Sequence, residues 1–122
     1  MTGTLGEDAA CEYLIQNGYN VICRNKRYGH LETDVICEND ECLVFAEVKT
    51  RTFHSASKYG RGLYRVNREK QRHIIRASRV FLREETQLCK GLFPRYDTVE
   101  LYLDSENDRK VHVIHTPCAF GL

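Results

Sequence analysis

Two periods of apolar residues alternate along this chain. In "TLGEDAACEYLIQNG" (residues 4–18), Ala10, Cys11 and Leu14 recur at helical spacing. Thr4 stands where a cap belongs, and Gly18 where a left-handed C-terminal residue belongs. The spacing predicts a first helix, followed by a short strand in "YNVICRN". "LETDVICENDECLVFAEVKT" (31–50) then reads as two strands around a two-residue turn at Asn39-Asp40. Residues 52–66 have no clean period and carry Gly60 and Gly62, the pattern of a mobile loop. A long helix is predicted from about Asn67 to Glu85, with Ile74, Ala77, Phe81, Leu82 and Leu88 on its core side. "YDTVELYLD" and "KVHVIHT" form a second hairpin around "SEND". The order α-β-β-β-α-β-β implies a mixed β-sheet flanked by helices, of α/β or α+β class, within one domain over residues 1–122.

Composition changes this picture little. Charged residues make up 29% and hydrophobic ones 42%, ordinary for a soluble globular protein, and a net charge of +1 selects no partner. No apolar run is long enough to span a bilayer and no leader resembles a signal peptide, so a cytoplasmic protein with no membrane partner is expected. The six cysteines are scattered with no CxxC pair, so they read as reduced, small buried hydrophobes rather than disulfides or a zinc site.

The charges change it more. Strand alternation puts Glu47, Lys49 and Arg51 of "CLVFAEVKTR" on the face that carries Leu43 and Phe45. With a turn at Asn39-Asp40, Ile36 faces Leu43, Asp34 faces Phe45 and Glu32 faces Glu47. Glu32, Asp34 and Glu47 then share one face, with Asp34 and Glu47 diagonal neighbours. At about 5 Å and an effective dielectric of about 20, each carboxylate pair costs on the order of 3 kcal/mol. Lys49 alone cannot offset several such pairs. A divalent cation can, and hard carboxylate oxygens suit Mg2+ or Mn2+, so Glu32, Asp34 and Glu47 are expected as ligands. The alternative is a solvated face with Lys49 in a surface ion pair.

Glu7 fits two readings equally. It can close a capping box with Thr4, or point from the apolar side of its helix into a cleft. On the second helix, Arg65, Arg68, Arg72, Arg76, Arg79 and Arg83 recur at three- and four-residue spacing, a basic stripe suited to phosphate contact. Lys70 and Gln71 fall on the apolar side near the helix start. They either snorkel past the end of the sheet or reach toward the carboxylates.

These residues carry a resemblance. "GEDAACEYLIQNGYNVICRN", "LETDVI", "VFAEVKTR", "NREKQRHI" and "RYDTVEL", in this order and spacing, resemble the YraN family of uncharacterised bacterial proteins. That family is similar to PD-(D/E)xK nucleases of restriction-endonuclease-like fold and, among them, to archaeal Holliday junction resolvases. Leu31 and Thr33 depart from a glycine and an isoleucine of the family pattern, while both acidic positions are kept. The resemblance implies that Asp34 and Glu47 bind the metal, Lys49 assists the attacking water, Glu7 completes the site and Gln71 lies nearby. It implies a restriction-endonuclease-like sheet flanked by helices.

The function expected is a Mg2+- or Mn2+-dependent endonuclease acting on phosphodiester bonds of DNA, branched or flapped DNA included. Arg51, Arg65, Arg68, Lys70, Arg72, Arg76 and Arg79 would contact the nucleic acid. The alternative is a catalytically inactive nucleic-acid-binding accessory protein that keeps the outline of the site. A junction-cutting role would favour a homodimer. With no obvious specificity domain, strict sequence reading is not expected.

Overall fold

The computed structural model describes residues 2–53, 65–104 and 111–121. Helix α1 (Thr2–Gln16) leads into three antiparallel strands, β1 (Asn20–Tyr28), β2 (Leu31–Glu38) and β3 (Cys42–Phe53). Helix α2 (Arg68–Glu84) and the one-turn α3 (Thr86–Cys89) precede β4 (Phe93–Asp104) and β5 (Val111–Phe120). The five strands form one sheet in sequence order, antiparallel throughout except for the β3–β4 pair, which is parallel. This is the mixed sheet flanked by helices that the element order implies. The expected loop at 52–66 and the turn at "SEND" fall mainly outside the described residues, although β3 runs on to Phe53.

Alternation divides the core between the two faces of the sheet. Val35, Cys37, Val44, Ala46, Val99 and Leu101 pack with Ala10, Cys11 and Leu14 of α1. Ile36, Leu43, Phe45 and Tyr96 face the opposite way and pack with Ile74, Ile75 and Phe81 of α2. Phe45 is the centre of that second layer, edge-on to Phe81 at 5.9 Å and stacked on Tyr96 at 5.7 Å. Ser78 enters this apolar layer because its hydroxyl is satisfied twice, by the Ile75 carbonyl at 2.6 Å and the Tyr96 hydroxyl at 2.7 Å. Leu88, expected on the core side of the long helix, is exposed instead: α2 ends at Glu84, and the residue belongs to α3. Helix α1 begins at Thr2, so Thr4 lies inside it rather than at its cap.

The first hairpin differs from expectation by one residue. The Asn39 N–H donates to the Cys42 carbonyl at 3.0 Å, and the Asn39 side-chain oxygen accepts from the N–H groups of Glu41 and Cys42 at 2.9 and 2.7 Å. This Asx turn moves the tip to Asp40-Glu41. The pairing becomes Glu38↔Leu43, Cys37↔Val44, Ile36↔Phe45 and Val35↔Ala46. Moving a turn by one residue shifts register by two, so every side chain keeps its predicted face while its cross-strand partner changes.

A buried polar network stiffens the α1 side. Asp97 on β4 is fully buried and accepts from both nitrogens of an Arg95 fork, at 2.9 and 2.8 Å, while its Oδ2 lies 2.7 Å from His115 Nε2. Arg95 also donates to the Tyr19 hydroxyl at 2.6 Å. Burial alone would push the Asp97 carboxyl up, but the bonds from His115, Arg95 and the Cys118 N–H win and hold it below the usual carboxylate range. The N–H of Cys118, a left-handed residue with φ 54°, donates to Asp97 Oδ1 at 3.1 Å. This bond pins a bulge in β5, where register passes from Tyr96↔Phe120 to Thr98↔Thr116.

Gly6 sets the approach of α1 to β3, because a Cβ there would meet the Thr50 side chain. Gly6→Ala is expected to destabilise the fold by about 1–3 kcal/mol in urea denaturation. Thr50→Ala in the same chain should return most of that loss, and a Gly6→Ala chain as stable as wild type would remove the close contact as a constraint.

Candidate metal and nucleic-acid site

The β2–β3 pairing ends at Val35↔Ala46, and Asp34 and Glu47 are the next residues on the two strands. There the ladder changes character: the Val48 N–H donates to Asp34 Oδ2 at 2.9 Å. Asp34 also hydrogen-bonds the Glu47 carboxyl. Glu47 is 4% exposed, and Lys70 Nζ lies 3.0 Å from its Oε2. Burial first, then the bond to Glu47 and its charge, raise the Asp34 carboxyl to about 8, against weaker opposing pulls from the Val48 N–H and Lys70. The Asp34 carboxyl, raised by burial and by its bond to Glu47, therefore keeps its proton near neutral pH.

Glu32, expected as a third ligand, is turned toward β1, with Oε2 3.0 Å from Arg27 Nε. Among the described residues, no three or more His, Cys, Asp or Glu side chains gather as an ion cage. The expected cluster is therefore a pair. A pair is a sufficient donor set for Mg2+, which keeps several waters and uses one or two carboxylates, with phosphate oxygens completing its shell. The hard oxygens of Asp34 and Glu47 fit such a cation.

Lys49 continues the same face of β3, half-buried beside Glu100 of β4 in the parallel register. Glu100 is buried and accepts from the Tyr102 hydroxyl at 2.7 Å; Tyr102 in turn lies beside Arg51, which is exposed. Neither Glu100 nor Tyr102 stands out in the sequence, because nothing there shows that β4 lies parallel against β3. Glu7 is at the N-terminal end of α1, next to the glycine that packs on Thr50. Its described bonds run to β1: Asn25 Nδ2 donates to it at 2.9 Å and Arg24 lies 3.7 Å away. Asn25 adopts φ 52° in making this contact, a conformation asparagine tolerates better than most residues.

Helix α2 serves the site with one face and solvent with the other. Asn67 caps it, its side-chain oxygen accepting from the Lys70 N–H at 2.8 Å. From that fixed first turn, Lys70 reaches the Glu47 carboxylate, the second of its two expected placements. Gln71 instead donates through Nε2 to the Val66 carbonyl at 2.7 Å. Arg68, Arg72, Arg76, Arg79 and Arg83 are all exposed along the outer side, and Arg65 is exposed just before the helix. A helix of 17 residues is about 25 Å long. That is the axial length of about seven base pairs.

The family model described as "Uncharacterised protein family UPF0102" matches residues 6–101. The chain belongs to this family. It is the family that the sequence resemblance names as YraN. A UPF0102 protein of Caldicellulosiruptor bescii is 35% identical over 113 residues, covering 92% of each chain. A UPF0102 protein of Treponema pallidum subsp. pallidum is 32% identical over 98% of this chain and 92% of its own. Pyrococcus furiosus SfsA, solved in complex with Ca2+, aligns over 98% of this UPF0102 chain and 65% of its own, at 15% identity and a TM-score of 0.39. That score is too low to establish a shared architecture. No helix among the described residues is long and apolar enough to cross a membrane. Of the six cysteines, expected as buried hydrophobes, Cys11 and Cys37 are buried, Cys23, Cys42 and Cys89 are half-buried and Cys118, on the β5 bulge, is exposed; burial pushes the Cys37 thiol up to about 12.

The Asp34 proton has a measurable consequence. With the Asp34 carboxyl raised from 3.8 to about 8, the folded state binds more protons than the unfolded state across that window. Stability in EDTA should therefore fall as pH rises from about 4 to 8. One proton bounds the slope at about 1.4 kcal/mol per pH unit. Asp34→Asn, which imitates the neutral acid, should flatten the fall and match or exceed wild type at pH 8. Parallel urea curves for the two proteins at pH 5 and 8 would show that Asp34 keeps no such proton.

Proposed function

We propose that this chain is a metal-dependent nuclease that hydrolyses phosphodiester bonds in nucleic acid, DNA being the expected substrate and branched or flapped DNA included. The observation that carries this reading is the Asp34–Glu47 pair, two carboxyls forced together with lysines on both sides. When bound there, Mg2+ or Mn2+ would neutralise the scissile phosphate and make its bound water more acidic. The chain's own residues do the rest. Asp34 and Glu47 supply hard oxygens from two adjacent strands whose register fixes their separation. Lys49, two residues past Glu47 on the same face, adds a positive charge where the phosphate and attacking water would meet. Glu7 and Gln71 stand at the periphery as candidate orienting groups. The arginines of α2, with Arg51 and Arg65, offer planar forks that can hold phosphates on either side of the cut.

The salt bridge from Lys70 to Glu47 favours a second reading: an accessory protein that binds nucleic acid with an internal ammonium in place of a metal. Titration calorimetry with Mn2+ separates the two. Under the nuclease reading, wild type binds Mn2+ and releases about one proton at neutral pH, seen as a dependence of the heat on buffer ionisation enthalpy. Asp34→Asn and Glu47→Gln should each abolish the binding. Cleavage of linear, flapped and four-way DNA with Mg2+ or Mn2+ should fall at least about 100-fold in Lys49→Ala, the scale of losing one electrostatic stabiliser. Absence of Mn2+ binding and of cleavage in wild type would leave the accessory reading standing.

The basic stripe makes a separate prediction. Arg72→Glu combined with Arg76→Glu should weaken DNA binding. It should also flatten the slope of log K against log salt by about two, one for each phosphate contact removed. An unchanged slope would make the stripe ordinary solvated surface.

A further inference from the structure

Beyond Glu47, on the same face of the sheet, lies a cavity of about 270 Å³ that the reading above leaves unused. Its walls come from Thr98 of β4, Thr116 and Cys118 of β5, Gln71 of α2, and Arg65 and Val66 just before that helix. Thr98 is the register partner of Glu47 across the β3–β4 pair, so the two residues stand on neighbouring strands, about 4.8 Å apart at the backbone. Gln71 directly follows Lys70, whose ammonium touches the same carboxylate. The cavity therefore adjoins the place where a scissile phosphate would sit.

The far wall is built by the β5 bulge. Between the pairs Tyr96↔Phe120 and Thr98↔Thr116, the single residue Asp97 faces three residues of β5, 117–119. Cys118 takes its left-handed conformation there because its N–H is tied to the buried Asp97 carboxylate. Asp97, itself clamped by Arg95 and His115 on the opposite face of the sheet, thus acts as a positioning residue for the cavity. A bulge beside a site is a common device for re-aiming a strand edge.

The lining suits one class of ligand. Two threonine hydroxyls can each donate and accept, and the Gln71 amide, fixed through Nε2 on the Val66 carbonyl, offers its oxygen as an acceptor. Val66 adds an apolar surface, and the Arg65 guanidinium a planar cation. Mixed donors and acceptors around a small, partly apolar space are what the edge and face of a nucleobase require. At about 270 Å³, the volume falls below the range of about 300–1,000 Å³ typical of drug-sized ligands, room for one heterocycle rather than a dinucleotide.

We infer that the cavity receives one unstacked nucleobase next to the phosphate held at Asp34 and Glu47. The enzyme would then select nucleic acid in which that nucleotide is unpaired, as at a flap or branch, over continuous duplex. This inference rests on the nuclease reading and adds its substrate class.

The test uses flapped DNA with 2-aminopurine at successive positions around the branch, bound in Ca2+ and followed by fluorescence and anisotropy. In wild type, one position should change its emission on binding, and the matching continuous duplex should bind at least tenfold more weakly. Thr116→Phe, which fills the cavity from a partly exposed strand, should lose that emission change and weaken flap binding at least tenfold. Thr116→Val, which keeps the shape and removes only the hydroxyl, should weaken it by a smaller factor. Mn2+ affinity serves as the control on fold and metal site, and should be the same in all three proteins. If both variants keep Mn2+ affinity, flap affinity and the emission change, the cavity is not a base site. The same conclusion follows if wild type binds flap and duplex equally. If wild type binds neither Mn2+ nor DNA, the nuclease reading falls first and this inference with it.

Discussion

The arrangement depends on two carboxyl groups being held side by side where water reaches them poorly. The first hairpin, its register fixed by the Asx turn at Asn39, ends its pairing at Val35↔Ala46, and just beyond it Asp34 hydrogen-bonds the Glu47 carboxyl. Once they are there, repulsion on the order of a few kcal/mol must be relieved. A proton does so in part: burial first, then the bond to Glu47 and its charge, raise the Asp34 carboxyl. Lys70 does so in part from the first turn of α2. The side chains nearest the pair are thus organised around one electrostatic problem. A divalent cation bound by hard oxygens would solve it more completely than either.

The two faces of the sheet divide the labour. The α1 face holds an apolar core closed off by the Tyr19–Arg95–Asp97–His115 network, in which a buried charge is fully hydrogen-bonded. Such a network need not add net stability, but breaking one partner leaves a buried charge exposed to its full desolvation cost. It therefore makes β4 and β5 expensive to deform. The α2 face carries the carboxyl pair, Lys49, Glu100 and the cavity, all on strands whose positions the opposite face enforces. The polar groups on one side rest on rigidity on the other.

Much of this was legible in the sequence, and what was not has physical reasons. The period of two in residues 31–50 assigned Asp34, Glu47 and Lys49 to one face, and a two-residue register error could not disturb that assignment. The error itself arose because the Asn39 side chain competes with the backbone for the turn, a choice between neighbouring positions that composition does not decide. Glu32 shares the predicted face but pairs with Arg27, since alternation gives the side of a sheet and says nothing of which neighbour a flexible acid will choose. Leu88 fell outside the core because the long helix stops at Glu84 and a separate turn begins. Asp97 sat in plain view within "RYDTVEL", yet its partner His115, and the Tyr19 that accepts from the same Arg95, are distant in sequence, and only the sheet brings them together. The same is true of Glu100 beside Lys49, a neighbour created by the parallel crossover.

The Lys70 contact can be weighed against a cation by burial alone. Glu47 is 5% exposed at its side chain, but Lys70 is 48% exposed, so the ammonium keeps much of its hydration while it touches the acid. An ion pair with one partner this wet is worth little, on the order of 0–1 kcal/mol in the usual range for surface pairs. Swinging a four-carbon stem toward solvent to release Glu47 costs correspondingly little. The Asp34 proton is no stronger a lock, since a group with a pKa of about 8 gives it up readily near neutral pH once a cation competes. Asp97, by contrast, is held within the same fold by a bidentate Arg95 whose side chain is 17% exposed. The two acids thus sit in different electrostatic settings within one sheet, Asp97 clamped by a bidentate arginine and Glu47 touched by a half-solvated lysine.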